Sequence, residues 1–165
     1  MIRLATLAAA ALMAVAAPAA AVAQTAADPG VSIEAVRTWL ASKGGAVSAI
    51  NRDAGDTWIT VDDAPLSWVI FFYGCEADVC GDIQYAASFS NPTITQAMVN
   101  DWNRDRRFLK AFVAPGEGGA APTAVVQYDV LVHSADVELL TDETALWLDL
   151  VGDFGTTVGF FTATE

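Results

Sequence analysis

Between Ala46 and Phe89 the apolar residues of this chain recur at every second position, whereas on either side of that stretch they recur at every third or fourth. A period of two sends alternate side chains to opposite faces of a strand, and a period near 3.6 gathers them on one stripe of a helix. A chain that changes period in this way is predicted to fold as α+β. Its breaker clusters leave links too short for parallel crossovers, so a mostly antiparallel sheet is expected, with the helices packed on it as a separate layer.

The first helix is predicted over residues 33–43, with Ser32 as its N-cap and Gly44-Gly45 as its stop. Ile33, Val36 and Leu40 form its apolar stripe, and Trp39 lies at the stripe's edge. Four strands follow, over 46–51, 57–62, 68–73 and 83–89, with turns at 52–56 and at Asp63-Ala64-Pro65. The run Trp68-Val69-Ile70-Phe71-Phe72-Tyr73 is apolar on both faces. That suits a central strand covered from both sides, or one covered by helices with a partner subunit opposite.

Asn91-Pro92 breaks the sheet, and Thr93-Ile94-Thr95-Gln96 has the spacing of a capping box. It opens a second helix with Ile94, Ala97, Met98 and Trp102 on one face. Strands over 107–113 and 123–132 are joined as a hairpin by Pro115-Gly116-Glu117-Gly118-Gly119. Trp147, Leu150, Val151, Phe154, Val158 and Phe161 then form a long helical stripe. It outweighs Gly152, Gly155 and Gly159, each of which costs about 1 kcal/mol relative to alanine. The expected order is α-β-β-β-β-α-β-β-α, in one domain over 32–165 preceded by a flexible segment over 24–31.

Residues 1–23 read as a cleavable signal peptide: Arg3, an apolar run over 4–15, and Ala21-Val22-Ala23 before a cut between Ala23 and Gln24. The apolar run is shorter than the ~20 residues of a bilayer span, and an uncleaved anchor is the alternative. The mature chain is expected to be periplasmic or secreted, with no membrane span. Losing Arg3 leaves seven Lys and Arg against 20 Asp and Glu, so the net charge moves from −12 to −13. Such a surface repels nucleic acid and anionic membranes. Solubility is its plainest consequence, and a specific cationic ligand is the sharper one.

Few residues offer chemistry. Cys75 and Cys80 flank Glu76-Ala77-Asp78-Val79, which matches a four-residue hairpin loop and would set the Cα atoms about 4.5–5.5 Å apart, within disulfide range. In an oxidising compartment the pair should be bonded. A redox-active pair is the competing reading, but the acids Glu76, Asp78 and Asp82 would raise a thiol pKa. His133 is the only histidine, no Gly-x-Ser-x-Gly elbow accompanies it, and Ser134 adjoins it in sequence, so a catalytic triad is not supported. Asp53, Asp56, Asp62, Asp63, Glu76, Asp78 and Asp82 lie in or beside turns without the spacing of a calcium loop, and no metal or other cofactor is implied.

The most specific stretch is Asn100-Asp101-Trp102-Asn103-Arg104-Asp105-Arg106-Arg107-Phe108. In one reading Asn103 ends the helix, Trp102 and Phe108 enter the core, and the arginines pair with Asp101 and Asp105. In the other, arginine and tryptophan exposed together make a binding surface.

At this stretch the sequence resembles the YbjN-type family of bacterial proteins, often labelled sensory transduction regulators, whose recognisable core is an Asn-x-Trp-Asn…Arg-Phe motif. Asn100, Trp102, Asn103, Arg107 and Phe108 match it. The Tyr73-Gly74-Cys75 to Cys80 hairpin looks like that of the family's exported, two-cysteine branch. The resemblance covers about residues 33–161. It implies a two-layer fold similar to type III secretion chaperones, often dimeric, and it supplies no catalytic residues.

Two functional expectations follow. One is a non-enzymatic envelope module that holds a peptide or a second copy of itself on an apolar sheet face or helix groove, which requires a contiguous exposed apolar patch. The alternative is a small periplasmic enzyme using turn carboxylates with Arg104, Arg106 and Arg107, which requires a pocket where these groups converge. A thiol oxidoreductase using Cys75 and Cys80 is a third, weaker reading.

Overall fold

A computed structural model describes residues 30–116, 118 and 120–161; the expected leader over 1–23, its cut at Ala23 and Gln24, and the segment 24–29 lie outside the described residues. The first strand, β1 (Val31–Ser32), pairs Val31 with Cys80, and Val31 is fully buried. Gly30 and Val31, expected to belong to a flexible segment, are instead held in place. At Gly30 φ is +36° and a Cβ would stand 2.5 Å from the Cys80 carbonyl oxygen, a position that only glycine fits.

Helix α1 (Ile33–Ser42) follows at once, with Ser32 accepting the Ala35 N–H as its N-cap. The Ile33 N–H donates to the Asp78 carbonyl at 3.1 Å, which ties the helix start to the cysteine hairpin. The predicted strand over 46–51 is in fact two pieces, β2 (Ala46–Val47) and β3 (Asn51–Asp53), both paired with β4 (Asp56–Asp63). Ser48 interrupts them because its Oγ accepts the Thr60 N–H at 2.9 Å.

β5 (Leu66–Glu76) and β6 (Val79–Ser90) are longer than predicted. Their connection is the two-residue turn Ala77-Asp78, with φ of +49° and +65°, and not a four-residue loop. Positive φ at both central residues gives the turn that best matches strand twist. Ala-Asp is an unusual pair to adopt it.

Helix α2 (Gln96–Asp105) is capped by Thr95, whose Oγ accepts the Met98 N–H, two residues later than the predicted box. Thr93 is engaged elsewhere, donating to the Asn91 carboxamide. Val99 and Trp102 are the buried positions, and Ala97 faces solvent. β7 (Lys110–Ala114) and β8 (Thr123–Leu131) form the predicted hairpin, and a 3-10 turn (Val137–Leu140) leads into α3 (Thr141–Thr157).

The fold is α+β, with three α-helices and an open antiparallel sheet in the order β2-β4-β5-β6-β8-β7. β1 adds to β6 and β3 adds to β4. One sheet face supplies Ile59, Val61, Trp68, Ile70, Phe72, Ile83, Tyr85, Phe89 and Val126 to a core completed by Val36, Leu40, Trp102, Trp147, Val151 and Phe154. At its centre Trp147 lies 5.7 Å from Tyr85 and 6.2 Å from Trp68, ring to ring.

Two of the helix-weakening glycines have structural work. A Cβ on Gly155 would meet Phe161 at 2.5 Å and Phe89 at 3.0 Å. At Gly159 (φ +73°) the chain reverses: its N–H donates to Thr156 and the Phe160 N–H donates to Gly155, a Schellman ending. The reversal lays Phe160 and Phe161 on Phe89.

Candidate functional site

Residues of the opposite parity on the same strands form the second sheet face, on which no helix packs among the described residues. The register aligns Trp58 with Phe71, Phe71 with Gln84, Gln84 with Asp129, Val69 with Ala86, Ala86 with Gln127 and Val125 with Phe112. Trp58, Val69, Phe71 and Val125 are half-buried, and Tyr73 and Phe112 remain 41% and 45% exposed. The central strand was expected to be apolar on both faces, and among the described residues only its Trp68, Ile70 and Phe72 face is covered.

Three features shape this outer face. Along β4 and β5 the rings of Trp58, Phe71 and Tyr73 follow one another at 6.2 and 6.4 Å. Beside them the small side chains of Ala86 and Ser88 leave a hollow of about 330 Å³, bordered by Ser67, Val69, Phe71, Val125 and Gln127. Next to the hollow runs a polar chain: Lys110 pairs with Asp129 at 2.8 Å, Gln84 donates to Asp129, and Gln127 donates to Gln84 at 2.8 Å. Desolvation, and then the charges of Asp56 and Asp129, raise the Tyr73 pKa above that of a free phenol.

The cysteine hairpin lies at one end of the sheet. The Cys75 and Cys80 sulfur atoms are 2.15 Å apart, at disulfide distance, and the Cα separation of 3.9 Å is shorter than the expected range. Cys80 is fully buried under β1, and Cys75 faces solvent. Arg52 grips both carboxylate oxygens of Asp78 in the turn at 2.9 Å.

The stretch from Asn100 to Phe108 divides its roles. Trp102 is buried, edge-on to Phe154 at 5.0 Å, with the Arg106 guanidinium 5.4 Å from its ring centroid. Asn103 does not end the helix, which continues to Asp105. Its carboxamide instead accepts the Ala111 N–H and donates to the Ala111 carbonyl, both at 2.9 Å, so a side chain stands where a neighbouring strand would. Asn100 accepts a hydrogen bond from Gln96 on the helix surface.

Arg104 is held by Asp101 at 2.6 Å and Asp105 at 2.7 Å, and these bonds push the guanidinium pKa up and the Asp105 pKa down. Arg107 lies over the Phe108 ring at 4.9 Å. Phe108 does not enter the core. It is 56% exposed at φ +73°, and the Leu109 N–H donates to Arg107 across it, a γ-turn that delays β7 to Lys110.

A cleft of about 430 Å³ beside Arg106 is lined by Met98, Asp101, Trp102, Asp105 and Thr157. It takes in none of the turn carboxylates, so the convergence that an enzyme reading needs does not occur there. His133 lines a separate hollow with Val130, Ser134, Asp136, Leu139 and Glu143. The Ser134 hydroxyl in that hollow is occupied in accepting the Asp136 N–H. Among the described residues no three His, Cys, Asp or Glu side chains are grouped so as to hold a metal ion, and no helix is long and apolar enough to cross a membrane.

Sequence reasoning missed three positions. Asn91 bonds the Val158 and Gly159 carbonyls and anchors the end of α3 to the exit of β6. Tyr85 is buried, shares a 2.8 Å hydrogen bond with Thr144, and has its pKa pushed up to about 12 by burial. Tyr128 donates to Glu143, and burial with that carboxylate raises its pKa as well. The spacing of Thr144 and Glu143 just before the stripe of α3 could have hinted at these partners, whereas nothing local marks Asn91.

A family model described as YbjN, "Putative bacterial sensory transduction regulator", matches residues 32–160. Among solved structures, the crystal structure of YbjN from E. coli is similar at 14% identity and a TM-score of 0.48, over 78% of this chain and 89% of that one. A search of curated proteins finds no match.

Proposed function

Because this chain belongs to the YbjN family, whose description is that of a regulator and not of an enzyme, we propose that it is a non-enzymatic binding module that holds a protein segment or a second copy on its outer sheet face. One observation carries the reading: an aromatic and aliphatic surface formed by Trp58, Val69, Phe71, Tyr73, Val125 and Phe112, on which no helix or strand packs among the described residues. Apolar surface of this kind, bordered by polar groups, marks interaction sites. The leader over 1–23 supports a place of work outside the cytosol, in the periplasm or beyond, where Cys75 and Cys80 would be joined as a disulfide. An intact mass beginning at Gln24 in the envelope fraction checks that location.

The binding reading is tested by affinity capture from envelope extract with three forms of the mature protein: the parent, Val69→Asp on the outer face, and Leu148→Asp on the exposed side of α3. A protein, or further copies of the chain, retained by the parent and by Leu148→Asp but lost from Val69→Asp is the expected result. If the parent retains nothing that Val69→Asp loses, the outer face is not the working surface.

A further inference from the structure

The aromatic stripe of the outer face is flanked by carboxylates. By strand parity Asp53, Asp56, Asp62, Asp82 and Asp129 share this face, and Lys110 is the cation among them. Lys110 is already engaged with Asp129. Among the described residues no cation pairs with Asp56, Asp62 or Asp82; Asp62 accepts one hydrogen bond, from the Ser67 hydroxyl. The hollow is lined by apolar and small polar side chains, and the carboxylates stand beyond it on the same face, Asp62 opposite Ser67 and Asp82 opposite Tyr73, so the face is complementary to a segment that combines apolar side chains with ones carrying a long apolar stem and a positive head. Lysine and arginine have that shape, and a cation beside an aromatic face and a carboxylate gains from both.

Resting on the reading of this face as a docking surface, we infer that its occupant is a cationic, apolar protein segment: aliphatic or aromatic side chains seated in the hollow by Val69, Phe71, Ala86 and Val125, with Lys or Arg beside Asp56 and Asp82. A second copy fits less well. A two-fold dimer would bring the same five carboxylates and single lysine against themselves, because such an interface is built from one patch on both subunits. Negative potential from a chain of net charge −12 also draws a cationic segment toward the face and repels an acidic one.

The test is a fluorescence-anisotropy titration of the mature protein with a labelled peptide of alternating leucine and lysine, about 12 residues long to match a long strand. Two comparison peptides replace either every lysine by glutamate or every leucine by serine. The leucine-lysine peptide is expected to bind, and both comparison peptides to bind at least about tenfold more weakly. Phe71→Ser, and separately the pair Asp56→Asn with Asp82→Asn, should each weaken binding by about fivefold or more. The control pair Asp142→Asn with Asp149→Asn removes the same charge from the exposed side of α3 and should leave binding unchanged. Thermal melts verify that each variant is folded.

Equal weakening by the control pair would show attraction to net charge alone and overturn the inference. No binding of the leucine-lysine peptide, together with a dimer in sedimentation that Phe71→Ser dissociates, would also overturn it while leaving the docking face intact. If Phe71→Ser alters neither peptide binding nor self-association, the inference and the docking reading fall together.

Discussion

The inner and outer faces of this sheet are built by the same strands, residue against alternate residue, and they have been finished differently. On the inner side Trp68, Ile70 and Phe72 are buried, Trp68 against Trp147 of α3. On the outer side Val69, Phe71 and Tyr73, three equally apolar neighbours, remain at the surface beside a bonded chain of Lys110, Asp129, Gln84 and Gln127. Burial energy scales with area removed from water, so the first set stabilises the fold and the second contributes little to it. Apolar residues retained where they add little stability are free to serve recognition.

Mutations that treat the two faces alike put the contrast at risk. Trp147→Ala should cost about 3–5 kcal/mol, the usual range for truncating a buried tryptophan, measured by denaturant unfolding. Asn103→Ala should cost about 1–3 kcal/mol, because the Ala111 N–H and carbonyl lose their partner, and it should raise the tendency to aggregate as followed by light scattering. Tyr85→Phe should cost about 1 kcal/mol by leaving the Thr144 hydroxyl unpaired. The smallest effect, within about 1 kcal/mol, belongs to Phe112→Ser on the outer face. If Phe112→Ser destabilised the chain as much as Trp147→Ala does, the division between the faces would fail.

A pH series sharpens the same comparison. The folded-state pKa of Tyr85 is raised from 10.0 to about 12, so the folded chain holds its proton where the unfolded chain has lost it. Its contribution to stability is fully present below pH 10 and is lost as pH rises from about 10 to about 12. Unfolding measured across this range should show the decline in the parent and a shallower one in Tyr85→Phe.

The change of period was enough to read the α+β class, the antiparallel sheet and the three helices, because strand alternation and helical stripes record which side is buried, but the predicted order lacked β1 and ran β2 and β3 together. The same pattern misled where local chemistry mattered more than periodicity. Ala77-Asp78 takes the tight turn without the Asn-Gly signature, and Thr95 caps α2 because Asn91 has engaged Thr93. Phe108 reads as core from its composition, yet a γ-turn carries it outward. The outer face was legible only as an ambiguity: Trp68 to Tyr73 showed apolarity on both sides, and whether the second side is covered depends on tertiary contacts that no window of sequence contains. The bond between Asn103 and Ala111 spans only eight residues, but its purpose depends on β7 lying at the sheet's margin.

That bond also governs how copies of the molecule could associate. An uncapped marginal strand invites another chain to add on in register, and the newcomer then offers its own margin to the next, a head-to-tail process with no natural end. By filling one position of β7 with a carboxamide, Asn103 makes that open-ended growth into filaments costly along this side. Contacts made through the broad side of the sheet can close on themselves, so finite complexes are favoured over fibres.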